Sequence, residues 1–149
     1  DRAVDARGII RRNIKVGRTA KETLQAIVAA LEKADYIHTP FMNIGTEDYK
    51  NIQNIITSDK SGFSIDLHSE GNNGGSVVTV GPSVAPFRLD RAELKIQENH
   101  LFSFEYQVHT NLPERPGFPL TLNIEGNHVV SSRGVELLHP PNERILLIH

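Results

Sequence analysis

Leu101-Phe-Ser-Phe-Glu-Tyr-Gln-Val-His109 decides the fold class, because from Phe102 onward apolar and polar residues alternate. A period of two marks a half-buried strand whose successive side chains point to opposite faces. Phe102, Phe104, Tyr106 and Val108 fall on one face, and Ser103, Glu105, Gln107 and His109 on the other; Leu101 is out of phase. Leu120-Thr-Leu-Asn-Ile-Glu125 repeats the pattern, with Leu120, Leu122 and Ile124 opposing Thr121, Asn123 and Glu125. If the two apolar faces share one core, the polar faces share one side of the sheet, and Glu105 and Glu125 converge there.

Working outward, Phe63-Ser-Ile-Asp-Leu67 also alternates. Short strands are expected at 76–80, 129–130, 135–138 and 145–148. Turn chemistry rich in Gly, Asn, Ser and Pro separates them at 58–62, 72–75, 126–127, 131–134 and 140–142. Residues 111–119 hold three prolines and read as a loop. Ahead of the strands the period changes. Val4, Ile9, Ile10 and Ile14 share a helical face. Thr19-Ala-Lys-Glu22 is a capping box, in which hydroxyl and carboxylate satisfy each other's free N–H groups. Leu24, Ile27, Val28 and Leu31 follow it at helical spacing. A third, shorter helix is expected over 46–57, with Tyr49, Ile52, Ile55 and Ile56 on one face. Helices first and a mostly antiparallel sheet after them give an α+β class.

The 149 residues make one domain, 1–149, large enough for a core without staples. With no Cys, disulfides, thiolate metal sites and thiol nucleophiles are excluded. A net charge of -2 argues against a nucleic-acid or anionic-membrane surface. No apolar run reaches the length of a membrane span, and Asp1-Arg-Ala-Val-Asp-Ala-Arg7 is not a targeting signal. A soluble chain is expected, and its opening on the middle of a helical pattern suggests a piece of something longer.

Converging carboxylates suit Mn, Zn, Co or Mg, and a bridging pair suits two ions about 3.5–4 Å apart. The plainer reading is a solvated acidic face on a half-buried sheet. His68, in Asp66-Leu-His-Ser-Glu70, follows a strand and reads as a ligand, a proton shuttle or a loop residue. Ser76 and Ser83 lie outside any Gly-x-Ser-x-Gly elbow. Asn72-Asn-Gly-Gly75 fits a hairpin turn better than a phosphate cradle.

Several segments together resemble the C-terminal half of the pita-bread metallopeptidases: methionine aminopeptidase, aminopeptidase P, prolidase and creatinase. The likeness is greatest to Xaa-Pro aminopeptidase-like members. Phe102-Ser-Phe-Glu-Tyr106 resembles the family's strand carrying a metal-binding Glu. Asn123-Ile-Glu-Gly126 is similar to its Arg-Ile-Glu-Asp, whose Glu bridges both metals. Val129-Val-Ser-Ser-Arg-Gly-Val-Glu-Leu-Leu138 is similar to the family's closing strands, and Ile14-Lys-Val-Gly-Arg-Thr19 to its link between two helices.

The resemblance implies two N-terminal helices packed on a curved, mostly antiparallel sheet. It implies Glu105 and Glu125 as metal ligands, His68 as a catalytic residue near the substrate carbonyl, and two divalent ions (Mn, Zn or Co) in a complete domain. A peptide is the implied substrate or ligand. The family's two Asp ligands lie ahead of the segments matched here. Its metal-binding His falls on Gly75 in one register and on Phe63 in another, and neither side chain binds a metal. The acid after the second Glu is replaced by Gly126. An inactive part of a peptidase and a degenerate peptide-binding module therefore both stand as readings, and loss of upstream strands would expose a sheet edge and favour a homodimer.

Overall fold

A computed structural model describes residues 2–40, 46–70 and 81–141, with the side chains of 46–49 left aside. Helix α1 is Arg2–Asn13, and helix α2 is Ala20–Glu32. The capping box forms as written: Thr19 Oγ1 accepts from Glu22 N at 3.1 Å, and Glu22 accepts from Thr19 N at 2.9 Å. The bond from the Thr19 backbone holds the Glu22 carboxyl below its ordinary pKa.

The buried stripe of α1 is Ala3, Ala6 and Ile10, continued by Ile14, while Val4 and Ile9 are only half-buried. Alanine, silent in a hydrophobicity pattern, lets the helix approach its neighbours. On α2 the buried stripe is Ala20, Thr23, Ile27 and Leu31, with Leu24 and Val28 at its margin.

The sheet has six strands, ordered β1-β2-β3-β5-β6, with β4 also pairing β3. They are β1 Tyr36–His38, β2 Ser61–Ser69, β3 Leu101–Thr110, β4 Leu120–Ile124, β5 Asn127–Ser131 and β6 Gly134–Leu137. All pairings are antiparallel except β1 with β2. Helix α3, Thr46–Ile56, precedes β2. The class is α+β, and no helix among the described residues is long and apolar enough to cross a membrane.

Phe63, Ile65, Leu67, Phe102, Phe104, Tyr106 and Val108 form the core face of the sheet, packed against α1 and α2. Polar anchors fix the helices to it. Tyr106 Oη donates to Ala3 O at 3.0 Å, Tyr36 Oη to Arg2 O at 2.6 Å, and Arg11 Nη2 to Val135 O at 2.6 Å. Burial raises the Tyr36 phenol above its ordinary pKa.

The structure corrects several expectations. Strand β1 has no counterpart in the sequence pattern, since three residues cannot display a period; Asp35, at φ 63°, turns the chain into it from α2. Because β1 pairs with Ser61 and Gly62, β2 starts there rather than at Phe63. It also runs on through Ser69, so His68 lies inside the strand instead of after it. Leu120 and Leu122, expected in the core, are 37% and 38% exposed, and of the apolar residues of β4 only Ile124 packs against the core cluster. Expectations at 72–75, 76–80 and 145–148 fall outside the described residues, as does the end of 140–142.

Gly62 is a close-approach position. A Cβ there would collide with Ile55 of α3 and stand 3.1 Å from His109. Ile55 is fully buried on that side, so α3 covers one end of the face opposite α1 and α2. Gly62→Ala is expected to lower stability by about 1–3 kcal/mol through overpacking, read as a lower urea midpoint with an unchanged m-value.

Candidate metal centre

Strand register builds this site. Tyr106 is opposite Ile124 on β4, and Ser103 is opposite Asn127 on β5. Both pairings belong to one continuous antiparallel register, so Glu105 stands across from Glu125 and Phe104 across from Gly126. A bond from Phe104 N to Gly126 O, 2.9 Å, spans the break between β4 and β5. On the other side of β3, Glu105 is the partner of Asp66, and Ser103 is the partner of His68. Asp66, Glu105 and Glu125 thus form a row of carboxylates across adjacent strands, with His68 diagonal to Glu105.

Like charges directly opposite one another destabilise a sheet unless something compensates them. For Asp66 the compensation is Arg88, whose Nε and a terminal nitrogen reach its two oxygens at 2.6 and 2.7 Å. Glu125 accepts a hydrogen bond from Ser103 Oγ at 3.0 Å. Glu105 has His68 Nε2 at 3.8 Å. One ligand atom from each of His68, Glu105 and Glu125 lies within 4.8 Å of the others. Donors around a divalent ion at about 2.0–2.2 Å sit about 3–4.4 Å apart, so small side-chain rotations would close this set around one ion.

His68 is mostly buried, with its side chain 23% exposed, and its Nδ1 is buried without a hydrogen-bond partner. The Glu105 side chain is 52% exposed, so the donors face an open side. A pocket of about 100 Å³ adjoins Glu105, between Pro40 and Phe87, with Ser64, Asp66 and Gln107 also lining it. A wider hollow of about 650 Å³ runs from Glu125 round to Phe104, Tyr106 and His128 on the core side. There His128 stacks on Phe104 with ring centroids 3.9 Å apart, and burial lowers its pKa below the ordinary value.

The three residues singled out in the sequence are therefore neighbours in space. Phe63 is not among them. It is 1% exposed, stacked on His38 at 4.9 Å, and belongs to the core face of β2. A histidine at that position would face away from Glu105. Gly75 lies outside the described residues. Sequence reasoning missed the parts played by Asp66 and Arg88. Asp66 was findable, since it shares its strand face with His68 by simple alternation. Arg88 carried no signal, because its partner is 22 residues away. A scan against protein-family models finds no match for this chain, and a search of curated proteins likewise finds none.

Proposed function

We propose that this chain is the C-terminal part of a pita-bread-type metallopeptidase domain of the Xaa-Pro aminopeptidase-like kind. In this reading His68, Glu105 and Glu125 hold a divalent cation at a peptide-binding face. The observation that supports it is the placement of Glu105 opposite Glu125 with His68 beside them, all three donors within 4.8 Å. An imidazole and two carboxylates suit Mn, Zn or Co. Such an ion would supply Lewis acidity toward a peptide carbonyl and lower the pKa of a bound water. The chain's own part is to hold the ion through His68, Glu105 and Glu125 and to orient the peptide along the exposed edge of Glu105. The pocket between Pro40 and Phe87 would receive a small side chain next to the ion.

Phe63, buried on the wrong face, and Asp66, tied to Arg88, favour a second reading. That reading is a degenerate domain that binds peptide ends without cutting them. Mn and Zn titrations by calorimetry, together with hydrolysis of Ala-Pro, test both. Residues 1–149 are expected to bind Mn and to leave Ala-Pro intact. A longer parent protein that also leaves Ala-Pro intact while binding it selects the binding module. Absence of any Mn or Zn binding sinks the metal centre itself. Among the described residues no strand pairs the outer edge of β4, which offers a second copy a place to add.

A further inference from the structure

We propose that this sheet face takes one divalent ion rather than two, and that the Arg88 guanidinium stands in for the second positive charge. The inference rests on the metal reading above and concerns how many ions that site accepts. A two-ion site needs a bridging carboxylate and further donors for each ion. Among the described residues, His68, Glu105 and Glu125 are the only group of three or more His, Asp and Glu side chains gathered closely enough to hold an ion. On this face, among the described residues, the three donors complete one site with solvent and leave none for a second ion.

Asp66 is the obvious missing donor. It lies on the same face, directly across from Glu105. Both of its oxygens are occupied by the fork of Arg88, at 2.6 and 2.7 Å. Bidentate guanidinium–carboxylate bonds are among the stronger polar contacts a protein makes.

Arg88 is also held in place. Val84 forms a two-way backbone bridge with Leu67, 3.1 and 2.8 Å, which clips the loop before Arg88 onto β2. Ser83 Oγ accepts from Ser69 N at 3.3 Å, and the guanidinium rests 5.6 Å from the centre of the Phe87 ring. The charge is permanent. The bonds to Asp66 keep the Arg88 pKa above its ordinary value, and the fields of Asp66, Glu105 and Asp90 add to that. Charge counting agrees. One guanidinium and one divalent ion balance the carboxylates of Asp66, Glu105 and Glu125, whereas a second ion would leave a local excess of positive charge.

Calorimetric Mn titration and electron paramagnetic resonance spin counting test this without any activity assay. The unmodified chain is expected to bind one Mn, with the spectrum of an isolated ion. Arg88→Gln releases Asp66 and removes a repelling cation. It is expected to bind two Mn, show dipolar coupling between them, and hold the first about tenfold more tightly. Arg88→Lys keeps the charge and remains at one. Arg88→Gln combined with Asp66→Asn returns to one. Two ions in the unmodified chain overturn the inference, as does Arg88→Gln holding one ion with unchanged affinity. If Arg88→Gln does not fold, the stoichiometry of the unmodified chain and of Arg88→Lys decides. No ion in any variant overturns the metal reading and this inference with it, an outcome distinct from one ion everywhere.

Discussion

Glu125→Gln is expected to abolish the protein's thermal response to Mn while leaving the metal-free fold at least as stable as before. The change is close to isosteric, and the amide oxygen can still accept from Ser103 Oγ, which donates to Glu125 at 3.0 Å. What disappears is one negative charge placed across the sheet from Glu105. Like charges in that position cost about 0.2–1 kcal/mol, so the metal-free variant should match or exceed the original Tm. Saturation at about 100 times Kd adds about 2.7 kcal/mol to the folded state of the original chain. For a chain of this size that is a rise of about 5–10 °C in Tm. With one donor of three removed, Mn affinity should fall about 100-fold or more, and the rise should vanish. Calorimetric melts with and without Mn measure both effects. An Mn-dependent rise that survives in Glu125→Gln would remove Glu125 from the site.

The second large effect lies beneath the carboxylates. Phe104 is fully buried, stacks on His128 at 3.9 Å, and precedes Glu105 on β3. Phe104→Ala should cost about 3–5 kcal/mol, a large part of the 5–15 kcal/mol typical of a whole domain. Collapse cannot refill the void cheaply. The residue across the strand pair is Gly126, which has no side chain, and even an added Cβ there would reach only His128 Cε1 at 3.8 Å. Loss of the ring should also loosen Glu105 and weaken Mn binding. Urea unfolding measures the first effect and Mn titration the second. A loss below about 1 kcal/mol would show that Phe104 does not anchor the core under the site.

Local chemistry made the helical part of the fold legible. The Thr19 capping box needs only Thr19 and Glu22, so its geometry is written in four consecutive residues. Alternation from Phe102 to Val108 likewise needs no partner, and it placed Phe102, Phe104, Tyr106 and Val108 in the core, although Ser103 and His109 on the opposite face are buried as well. Elsewhere the same rule failed where burial depends on what lies above the strand. Leu120 and Leu122 have the pattern of core residues, yet they are largely exposed, and of the apolar residues of β4 only Ile124 packs against the core cluster. Strand β1 failed for the opposite reason: Tyr36 is buried by its neighbours, not by any period of its own.

For the candidate site, the chain alone determined which residue types stand on the polar side of β3, β4 and β2. Side-chain alternation is a property of each strand taken singly. Tertiary structure decided everything that depends on two strands at once. Register set Glu105 against Glu125 and Asp66, pairing with β3 drew His68 into β2, and a loop bridged to Leu67 brought Arg88 onto Asp66. A slip of one residue would have sent every one of these side chains to the opposite face. Register follows from hydrogen bonds between distant segments and from burial of the shared core face, which no single segment encodes.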